Sequence, residues 1–455
     1  MGLLVALYAL ELSLLLVLLT AYVFSYKPTA TSFLMSWPGY LFAFGVVTFV
    51  ASVAAVAYRY FQYGRFNDRG FKITVAMNVA SVLCLTVVGE GIVRAASRAT
   101  PTGDVVGSNY LLPREWNKVA AHFQEQLRNA KDTASYHVFH DVLGWTIAPN
   151  RRSEGLYYSS VEGLRSPSIG TKFSERRPAT RIALIGDSYA FGEEVEFEDM
   201  WGYQLEVLLG SDVQVLNFGV MGYGIDQAYL RYLKDVRAWN PDIVVFEVID
   251  HDLVRMMGVY SFLTFPEASV PFATPRFTLK DHTLTLLNVP LPKPEEIFSA
   301  RSIHELPFVQ WDPQYVRMEW DRPFWYVPTR SYLFRWLATW YPLREEEPSP
   351  AVSNPTLRLI AREIFRSFVK EVHANKGIPI LAYLPTLRHE WETPNYTPLT
   401  LQILDDAGIG YTDLRNCLST VPFKERHMPR LHYSPKGNYA VASCLAQMVA
   451  DQTSS

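Results

Sequence analysis

The chain has 455 residues, of which 49% are hydrophobic, and its formal net charge is −3. That length allows two or three domains, and the near-neutral charge gives no reason to expect nucleic acid as a partner. Most of the hydrophobic excess lies near the amino terminus, so we expect a membrane region followed by a larger domain.

Three apolar runs near the amino terminus are each close to the ~20 residues that a helix needs to cross a bilayer. The first run lacks a basic start and a small-residue cleavage site, so we interpret it as a retained anchor and not as a signal peptide. We therefore expect an integral membrane region, residues 1–98, with three spans at 3–24, 38–58 and 73–95.

Basic residues are divided unevenly between the two loops that join these runs. The first loop contains only Lys27, whereas the second loop and its edges contain Arg59, Arg65, Arg69 and Lys72. The positive-inside rule therefore predicts that the second loop is cytoplasmic. The amino terminus is then also cytoplasmic, and the large domain is expected to be extracytoplasmic, in the periplasm.

Glu11 lies in the middle of the first apolar run, and Asn78 lies within the third. A carboxylate in lipid is unfavourable, so Glu11 is expected to face a partner. The two residues either contact each other or bind another membrane protein. The plain alternative is a protonated Glu11 that is hydrogen-bonded between helices.

The chain has three cysteines, and Cys84 lies in the third apolar run. Cys417 and Cys444 lie in the outer domain, where an oxidising compartment would allow a disulfide. The interpretation that we prefer from the sequence is that Cys444 is a small, buried apolar residue on a helix.

From residue 181 onward, apolar strand-like runs alternate with helix-like segments. Continuous runs of Val, Ile and Leu indicate parallel strands that are covered on both faces. This pattern predicts a doubly wound, flavodoxin-like α/β domain at 181–455 with a parallel sheet of about five strands. The strand-like runs are 181–187, 213–219, 242–249, 378–385 and 408–414, and the helix-like segments lie near 198–209, 225–238, 354–375, 397–406 and 436–450.

Two other segments differ from this alternation. Residues 99–180 are expected to be a lead-in that packs on the outer domain, with an amphipathic helix near 114–130. Residues 254–350, rich in proline and aromatic residues, form a long insertion with a β-hairpin at 277–289. Because a loop of that length inside a compact domain is usually functional, we interpret it as a cap.

The first strand-like run leads into Gly186-Asp187-Ser188. Ligands bind at the carboxyl ends of the strands in a doubly wound sheet, so Ser188 is expected at that edge. Gly186 permits a sharp reversal, and the turn leaves backbone N–H groups that can bind a developing oxyanion. A serine hydroxyl needs a base to become a nucleophile. The candidate base is His432, in a loop before the last helix.

The order of four sequence blocks resembles the SGNH/GDSL family of ester hydrolases and acyltransferases. The resemblance covers 181–254 and 378–450, and two earlier pieces, "VLGWTIAPN" and "EGLRS", look like the lead-in of membrane-anchored bacterial members. The four blocks are "IGDSYAFG" around Ser188, "NFGVMGYG" (217–224), "DHD" (250–252) and "HYSPKGNYAVA" from His432.

The resemblance implies a role for each matching residue. Ser188 takes the position of the nucleophile and His432 that of the base. The oxyanion donors would be Ser188, Gly222 and His251, and His251 stands where the family has asparagine. An imidazole N–H can donate a hydrogen bond, so the third donor role is retained in altered form.

The sequence departs from the family at the acid that orients the histidine. The family has an aspartate three residues before the histidine, and this chain has Pro429 there. Losing the orienting acid lowers turnover by ~10⁴ in the best-studied serine triad. Either the Ser–His pair works alone, or Glu425, Asp413 or a backbone carbonyl substitutes, or the site has decayed. The acidic residues after the serine are expected to be solvated: Glu193, Glu194, Glu196 and Glu198.

No metal-ligand spacing, phosphate-binding loop or dinucleotide motif is present in the sequence, so we expect neither a metal nor a cofactor. The expected function is that of an extracytoplasmic serine ester hydrolase or O-acyltransferase acting on acyl, chiefly acetyl, esters of cell-envelope glycans. The alternative is a catalytically degenerate subunit that serves as a structural or interaction module of a membrane complex. Pro429 and His251 favour that alternative.

Overall fold

The structure is a computed structural model of the chain, and it divides into two compact units. The first unit consists of Met1–His122, Arg301–Glu305 and Val316–Glu347, and the second of Phe123–Ala300, Leu306–Tyr315 and Pro348–Ser455. The residues described are 2–24, 37–63, 69–132, 135–153, 155–176, 178–265, 270–281, 283–315, 319–321, 327–340, 355–387 and 397–453.

The first unit begins with three long helices, α1 (Gly2–Phe24), α2 (Trp37–Tyr63) and α3 (Arg69–Ala96). Within α2 and α3, Tyr40–Gln62 and Lys72–Ala96 are long and apolar enough to cross a membrane. The apolar part of α1 among the described residues is shorter, Val5–Ala21. A span needs about 20 apolar residues. The structure therefore supports two of the three predicted spans, those in α2 and α3, and the expectation of three spans is corrected to two.

A polar contact joins α1 and α3. The side-chain amide of Asn78 donates to Glu11 Oε2 at 3.3 Å. One helical turn further along α3, the Ser81 hydroxyl lies 2.5 Å from Tyr8 Oη. Glu11 therefore has the intramolecular partner that the sequence suggested, and a further role of this pair in binding another membrane protein stays a prediction.

The rest of the first unit packs around the helix Tyr332–Trp340. Glu90 of α3 caps the start of this helix, because its carboxylate accepts hydrogen bonds from the Tyr332 and Leu333 N–H groups at 3.1 and 2.9 Å. Arg335 of the same helix pairs with Asp104 at 2.7 Å. The apolar face of the helix Tyr332–Trp340 packs on the carboxyl-terminal part of α1. The residues in contact are Leu15, Leu19, Ala21, Phe334, Leu337 and Ala338. The helix Tyr332–Trp340 therefore belongs to the first unit, although it lies within the predicted cap 254–350. A role of the cap as a lid stays a prediction.

A small antiparallel sheet follows α3 in the first unit, and a helix follows that sheet. The strands are Ser97–Thr100, Gly103–Val106 and Asn109–Tyr110, and the helix is Trp116–Asp132. The predicted helix near 114–130 is thus observed with slightly later bounds.

The centre of the second unit is a five-stranded parallel sheet. Its strands are β1 (Thr180–Ile185), β2 (Val213–Asn217), β3 (Ile243–Val248), β4 (Ile378–Tyr383) and β5 (Thr412–Asp413). Their order is β2-β1-β3-β4-β5, and every neighbouring pair is parallel. This is the flavodoxin-like order of a doubly wound sheet, so the predicted sheet is confirmed.

Helices cover both faces of this sheet, which explains why all side chains of β3 are buried. One face packs against Trp201–Leu209 and Pro435–Thr453, and the other against Pro355–Ala374 and Ile225–Arg231. The remaining helices are Ser188–Phe191, Asp250–Arg255, Ser261–Thr264, Pro294–Ser299, Leu399–Ala407 and Arg415–Leu418. The short strands are His137–His140, Gly144–Ile147, Arg152–Ser153, Tyr157–Ser159 and Arg165–Ser166, and the predicted hairpin is Phe277–Lys280 with Thr283–Leu286.

A disulfide joins Cys417 of the helix Arg415–Leu418 to Cys444 of the last helix. Both side chains are half-buried. The interpretation of Cys444 as a buried apolar residue is therefore wrong, because the two helices bring the two sulfur atoms within bonding distance.

Candidate active site

Ser188 lies at the carboxyl end of β1, directly after a sharp turn. Gly186 has a φ of +153°, and a Cβ there would lie 2.2 Å from Glu247 Oε2, so only glycine fits. Asp187 caps the short helix that begins at Ser188, and its carboxylate accepts the Tyr189 N–H at 2.7 Å. The turn therefore presents the Ser188 hydroxyl at the edge of the sheet, with the Ser188 N–H at a helix amino terminus.

His432 lies next to this hydroxyl. Its Nε2 is 2.8 Å from Ser188 Oγ. The loop that presents His432 is tight, because the Met428 N–H donates to the His432 carbonyl at 2.7 Å and Leu431 has a φ of +82°. Tyr189 supports the loop by donating its hydroxyl to the Leu431 carbonyl at 3.1 Å. The residues predicted as nucleophile and base are thus within hydrogen-bonding distance.

The other ring nitrogen of His432 faces the carboxylate of Glu194. His432 Nδ1 lies 2.9 Å from Glu194 Oε2, and the His432 backbone N–H donates to the same oxygen at 2.9 Å. The Arg430 N–H donates to Glu194 Oε1 at 2.7 Å. The side chain of Glu194 is only 7% exposed. The expectation that Glu194 is solvated is therefore wrong: its carboxylate lies beside the ring nitrogen of His432 that faces away from Ser188.

A glycine turn directs Glu194 toward His432. Gly192 ends the helix Ser188–Phe191 in the left-handed conformation, at a φ of +78°, and Glu194 itself has a φ of +72°. Two lead-in residues hold this turn: Tyr157 Oη accepts the Glu194 N–H at 3.0 Å, and the buried Arg165 guanidinium donates to the Val195 carbonyl at 3.0 Å. Arg165 belongs to the "EGLRS" piece of the sequence.

The other carboxylates considered from the sequence lie elsewhere. Glu425 pairs with Lys436, and Asp413 pairs with Arg415. Neither is among the groups that contact the His432 ring in the described part of the chain. Glu196 and Glu198 are exposed, as expected. Glu193 is half-buried, and its Oε2 lies 3.5 Å from His432 Nε2, so the expectation that it is solvated is also wrong.

Gly222 lies in a left-handed turn, at a φ of +81°. Trp145 holds this turn by donating its indole N–H to the Met221 carbonyl at 3.1 Å. Among the described residues, none accepts a hydrogen bond from the Gly222 N–H, so this group is available to a ligand. His251 is exposed at the start of the helix Asp250–Arg255. The oxyanion roles of Ser188, Gly222 and His251 stay predictions.

Three buried carboxyl groups lie beneath the serine turn. Asp187, Glu247 and Asp252 each offer an oxygen within 4.8 Å of the others. Arg255 donates to Asp187 at 2.5 Å and to Asp252 at 2.8 Å, and Glu247 accepts the Asp187 N–H at 3.1 Å. Burial, reinforced by the neighbouring Asp187 charge, raises the pKa of both Glu247 and Asp252. The cluster thus fixes the turn before Ser188.

The fold and the site together define a doubly wound α/β unit that carries a Ser–His–Glu hydrogen-bonded series at the carboxyl edge of its sheet. No protein-family model matches the chain, and no curated protein matches it.

Solved structures similar to the chain include GDSL lipolytic proteins and acetylxylan esterases. A lipolytic protein of the G-D-S-L family from Desulfitobacterium hafniense is 16% identical with a TM-score of 0.29, over 59% of this chain and 98% of that chain. A lipase/acylhydrolase from Enterococcus faecalis is 13% identical with a TM-score of 0.30, over 60% and 96%. The acetylxylan esterase Axe2 from Geobacillus stearothermophilus is 14% identical with a TM-score of 0.30, over 59% and 94%. At these TM-scores the likeness carries no argument on activity, which must come from the site geometry.

Proposed function

We propose that the protein is a serine ester hydrolase or O-acyltransferase, with Ser188 as nucleophile, His432 as general base and Glu194 as the residue that orients the histidine. The observation that carries this proposal is the continuous series of contacts from Ser188 Oγ to His432 Nε2, at 2.8 Å, and from His432 Nδ1 to Glu194 Oε2, at 2.9 Å. It has the arrangement of nucleophile, base and orienting acid found in serine triads.

The chemistry follows from the hydrogen bonds. A carboxylate only accepts hydrogen bonds, so the neutral ring of His432 carries its proton on Nδ1 and leaves a lone pair on Nε2. Nε2 takes the proton of Ser188 as Oγ attacks the acyl carbonyl. The resulting oxyanion accepts hydrogen bonds from the backbone N–H groups of Ser188 and Gly222. His432 then gives that proton to the leaving alcohol, and the acyl group remains on Ser188. Water or an acceptor hydroxyl releases the acyl group by the same steps in reverse.

Three observations support an extracytoplasmic location for the second unit. The disulfide Cys417–Cys444 is of a kind that persists in oxidising compartments. The loop before α3 and its edges, residues 59–72, contain four basic residues against one aspartate, which favours the cytoplasm for that loop. The carboxyl-terminal halves of α1 and α3 both contact the helix Tyr332–Trp340. The carboxyl ends of the two helices therefore lie on the same side of the membrane. We infer that α3 crosses the membrane outward and that α2 crosses it inward.

Alkaline phosphatase fusions test this topology, because the reporter folds only outside the cytoplasm. A fusion after Ser455 is expected to be active, and a fusion in the loop 64–68 inactive. The opposite pattern would place the large domain in the cytoplasm and remove the envelope substrates from consideration.

The substrate class that we propose is acyl, chiefly acetyl, esters of cell-envelope glycans. It rests on the proposed location and on the resemblance of the four sequence blocks to the SGNH/GDSL family. Analysis of the products distinguishes the two acceptors: free acetate indicates that water accepts the acyl group, and a new ester indicates that a second hydroxyl accepts it.

Labelling with a fluorophosphonate tests the catalytic proposal directly. The purified full-length protein in detergent is expected to label, and Ser188→Ala to lose the label completely. Glu194→Gln is expected to label much more slowly, while the matched control Glu196→Gln, an exposed glutamate on the same turn, labels at the wild-type rate. A folded wild-type protein that neither labels nor cleaves an aryl acetate would favour the degenerate module instead. Glu194 removes the main reason for that alternative, which was the missing acid at Pro429.

A further inference from the structure

Glu193 is a second carboxylate beside the catalytic histidine, and the Ser–His–Glu series does not use it. Its Oε2 lies 3.5 Å from His432 Nε2, the nitrogen that also contacts Ser188 Oγ. That separation lies outside the distance of a normal N–H···O hydrogen bond. Two successive glutamates thus flank one imidazole, Glu194 at Nδ1 and Glu193 at Nε2.

The two glutamates differ in their hydrogen bonds. Glu194 accepts from the backbone N–H groups of Arg430 and His432 and from His432 Nδ1. Among the described residues, no group donates a hydrogen bond to the Glu193 carboxylate, whose side chain is 19% exposed. Burial raises the pKa of Glu193. A partly buried carboxylate without a protein donor is costly unless a ligand or water supplies one.

The position of Glu193 indicates which part of a substrate would supply the donor. His432 Nε2 must pass its proton to the leaving alcohol oxygen, so that oxygen lies within hydrogen-bonding distance of Nε2 during the reaction. Because Glu193 Oε2 is 3.5 Å from the same nitrogen, it can reach a hydroxyl on the carbon adjacent to the one that bears the acylated oxygen. A carboxylate accepts from a hydroxyl and repels a phosphate or carboxylate at the same place.

We propose that Glu193 binds a hydroxyl of the alcohol part of the ester, neighbouring the acylated oxygen, and so selects esters of polyols such as sugars. This inference rests on the proposed esterase or acyltransferase function. It assigns the selectivity for the alcohol to one side chain, separate from the groups that perform the proton transfer.

The test compares two esters. One is a mono-acetylated methyl pyranoside with free neighbouring hydroxyls, and the other is the same ester with those hydroxyls methylated. Wild-type kcat/KM is expected to favour the free hydroxyls by at least ~10-fold, because a charge-assisted hydrogen bond is lost with the methylated ester. In Glu193→Ala the ratio of kcat/KM for the free ester to kcat/KM for the methylated ester is expected to fall toward one. Glu193→Gln should give an intermediate ratio, and the control Glu196→Ala should keep the wild-type ratio.

Fluorophosphonate labelling of Ser188 in each variant separates this proposal from the proposed function. A Glu193→Ala protein that labels but keeps the wild-type ratio overturns the role of Glu193 and leaves the esterase intact. If Glu193→Ala does not fold, the ratio in Glu193→Gln decides, and an unchanged ratio there counts as refutation. A folded wild-type protein that neither labels nor cleaves an aryl acetate refutes the esterase itself.

Discussion

Glu194 and His432 are joined by two hydrogen bonds to one oxygen: the imidazole Nδ1 and the backbone N–H of His432 both lie 2.9 Å from Glu194 Oε2. One carboxylate therefore fixes both the ring and the loop that carries it. This is a stronger constraint than ring contact alone, because the backbone bond resists any rotation of the loop that would withdraw the ring from Ser188.

Glu194→Gln is expected to lower kcat for hydrolysis of an aryl acetate by about 10²–10⁴, because the amide no longer enforces the Nδ1–H tautomer. The free energy of unfolding should fall by about 1–3 kcal/mol, because the amide keeps a single oxygen for two backbone N–H groups that Glu194 accepts on separate oxygens. Steady-state kinetics over a range of substrate concentrations separate the effect on kcat from that on KM. A variant with more than a tenth of the wild-type kcat would show that Glu194 does not orient the histidine.

Gly192→Ala is expected to lose both stability and activity. Its φ is +78°, and the added Cβ would lie 2.5 Å from Met200 Cβ, so the destabilisation should be about 2–4 kcal/mol. Gly408→Ala is the matched control, because Gly408 also ends a helix in the left-handed conformation, at a φ of +66°, with no atom within 4 Å of the added Cβ. It should lose about 1 kcal/mol from backbone strain alone and keep its activity. Chemical denaturation and aryl acetate turnover measure the two effects. Equal losses of unfolding free energy in both variants would show that the contact with Met200 is not the cause of the larger destabilisation expected at Gly192.

Asp226→Asn is expected to stabilise the fold at alkaline pH. Burial raises the pKa of Asp226 from 3.8 to about 7, so between those values the unfolded chain ionises first and stability falls as the pH rises. Asparagine does not ionise. The gain should therefore be about 1.5 kcal/mol at pH 5 and rise to about 4 kcal/mol at pH 8.

Thermal unfolding of Asp226→Asn at the two pH values measures this gain, with Asp212→Asn as an exposed control. A stabilisation that is equal at pH 5 and pH 8 would mean that ionisation of Asp226 is not its cause.

Cys417→Ser and Cys444→Ser are each expected to lower the stability of the second unit by about 2–4 kcal/mol, from the loss of a cross-link that closes a loop between positions 27 apart. The same loss should follow treatment of the wild type with a reductant, and the double variant should be insensitive to the reductant. Alkylation followed by mass spectrometry reports the bond directly. Free thiols at both positions in the unreduced protein would contradict the disulfide and weaken the case for an oxidising compartment.

The sheet was accessible from the sequence because hydrophobic patterning is a local property. The five apolar runs that predict β1 to β5 needed no knowledge of long-range contacts, and the parallel topology then brings Ser188 and His432 to one edge. The shift of residues 316–347 into the first unit was not accessible, because it depends on contacts such as Glu90 with Leu333 that no local pattern records.

The identity of the third site residue was also inaccessible, for a different reason. Glu194 lies in a run of acidic residues, and such a run usually indicates a solvated turn. Its contact with His432 depends on the left-handed backbone at Gly192 and Glu194 and on the fold of the distant histidine loop. The signal that was present is the glycine directly before two glutamates, Gly192-Glu193-Glu194.

Glu194, the proposed orienting acid, follows Ser188, the proposed nucleophile, after one short helix. The two would therefore be inherited together, and only the histidine has to be supplied from elsewhere in the chain. A motif search that requires an aspartate three positions before the histidine would discard such sequences as inactive. Homologous chains with proline at 429 should instead be sorted by whether a glutamate is retained at 194, and those that lack both acids are the better candidates for proteins that have abandoned catalysis.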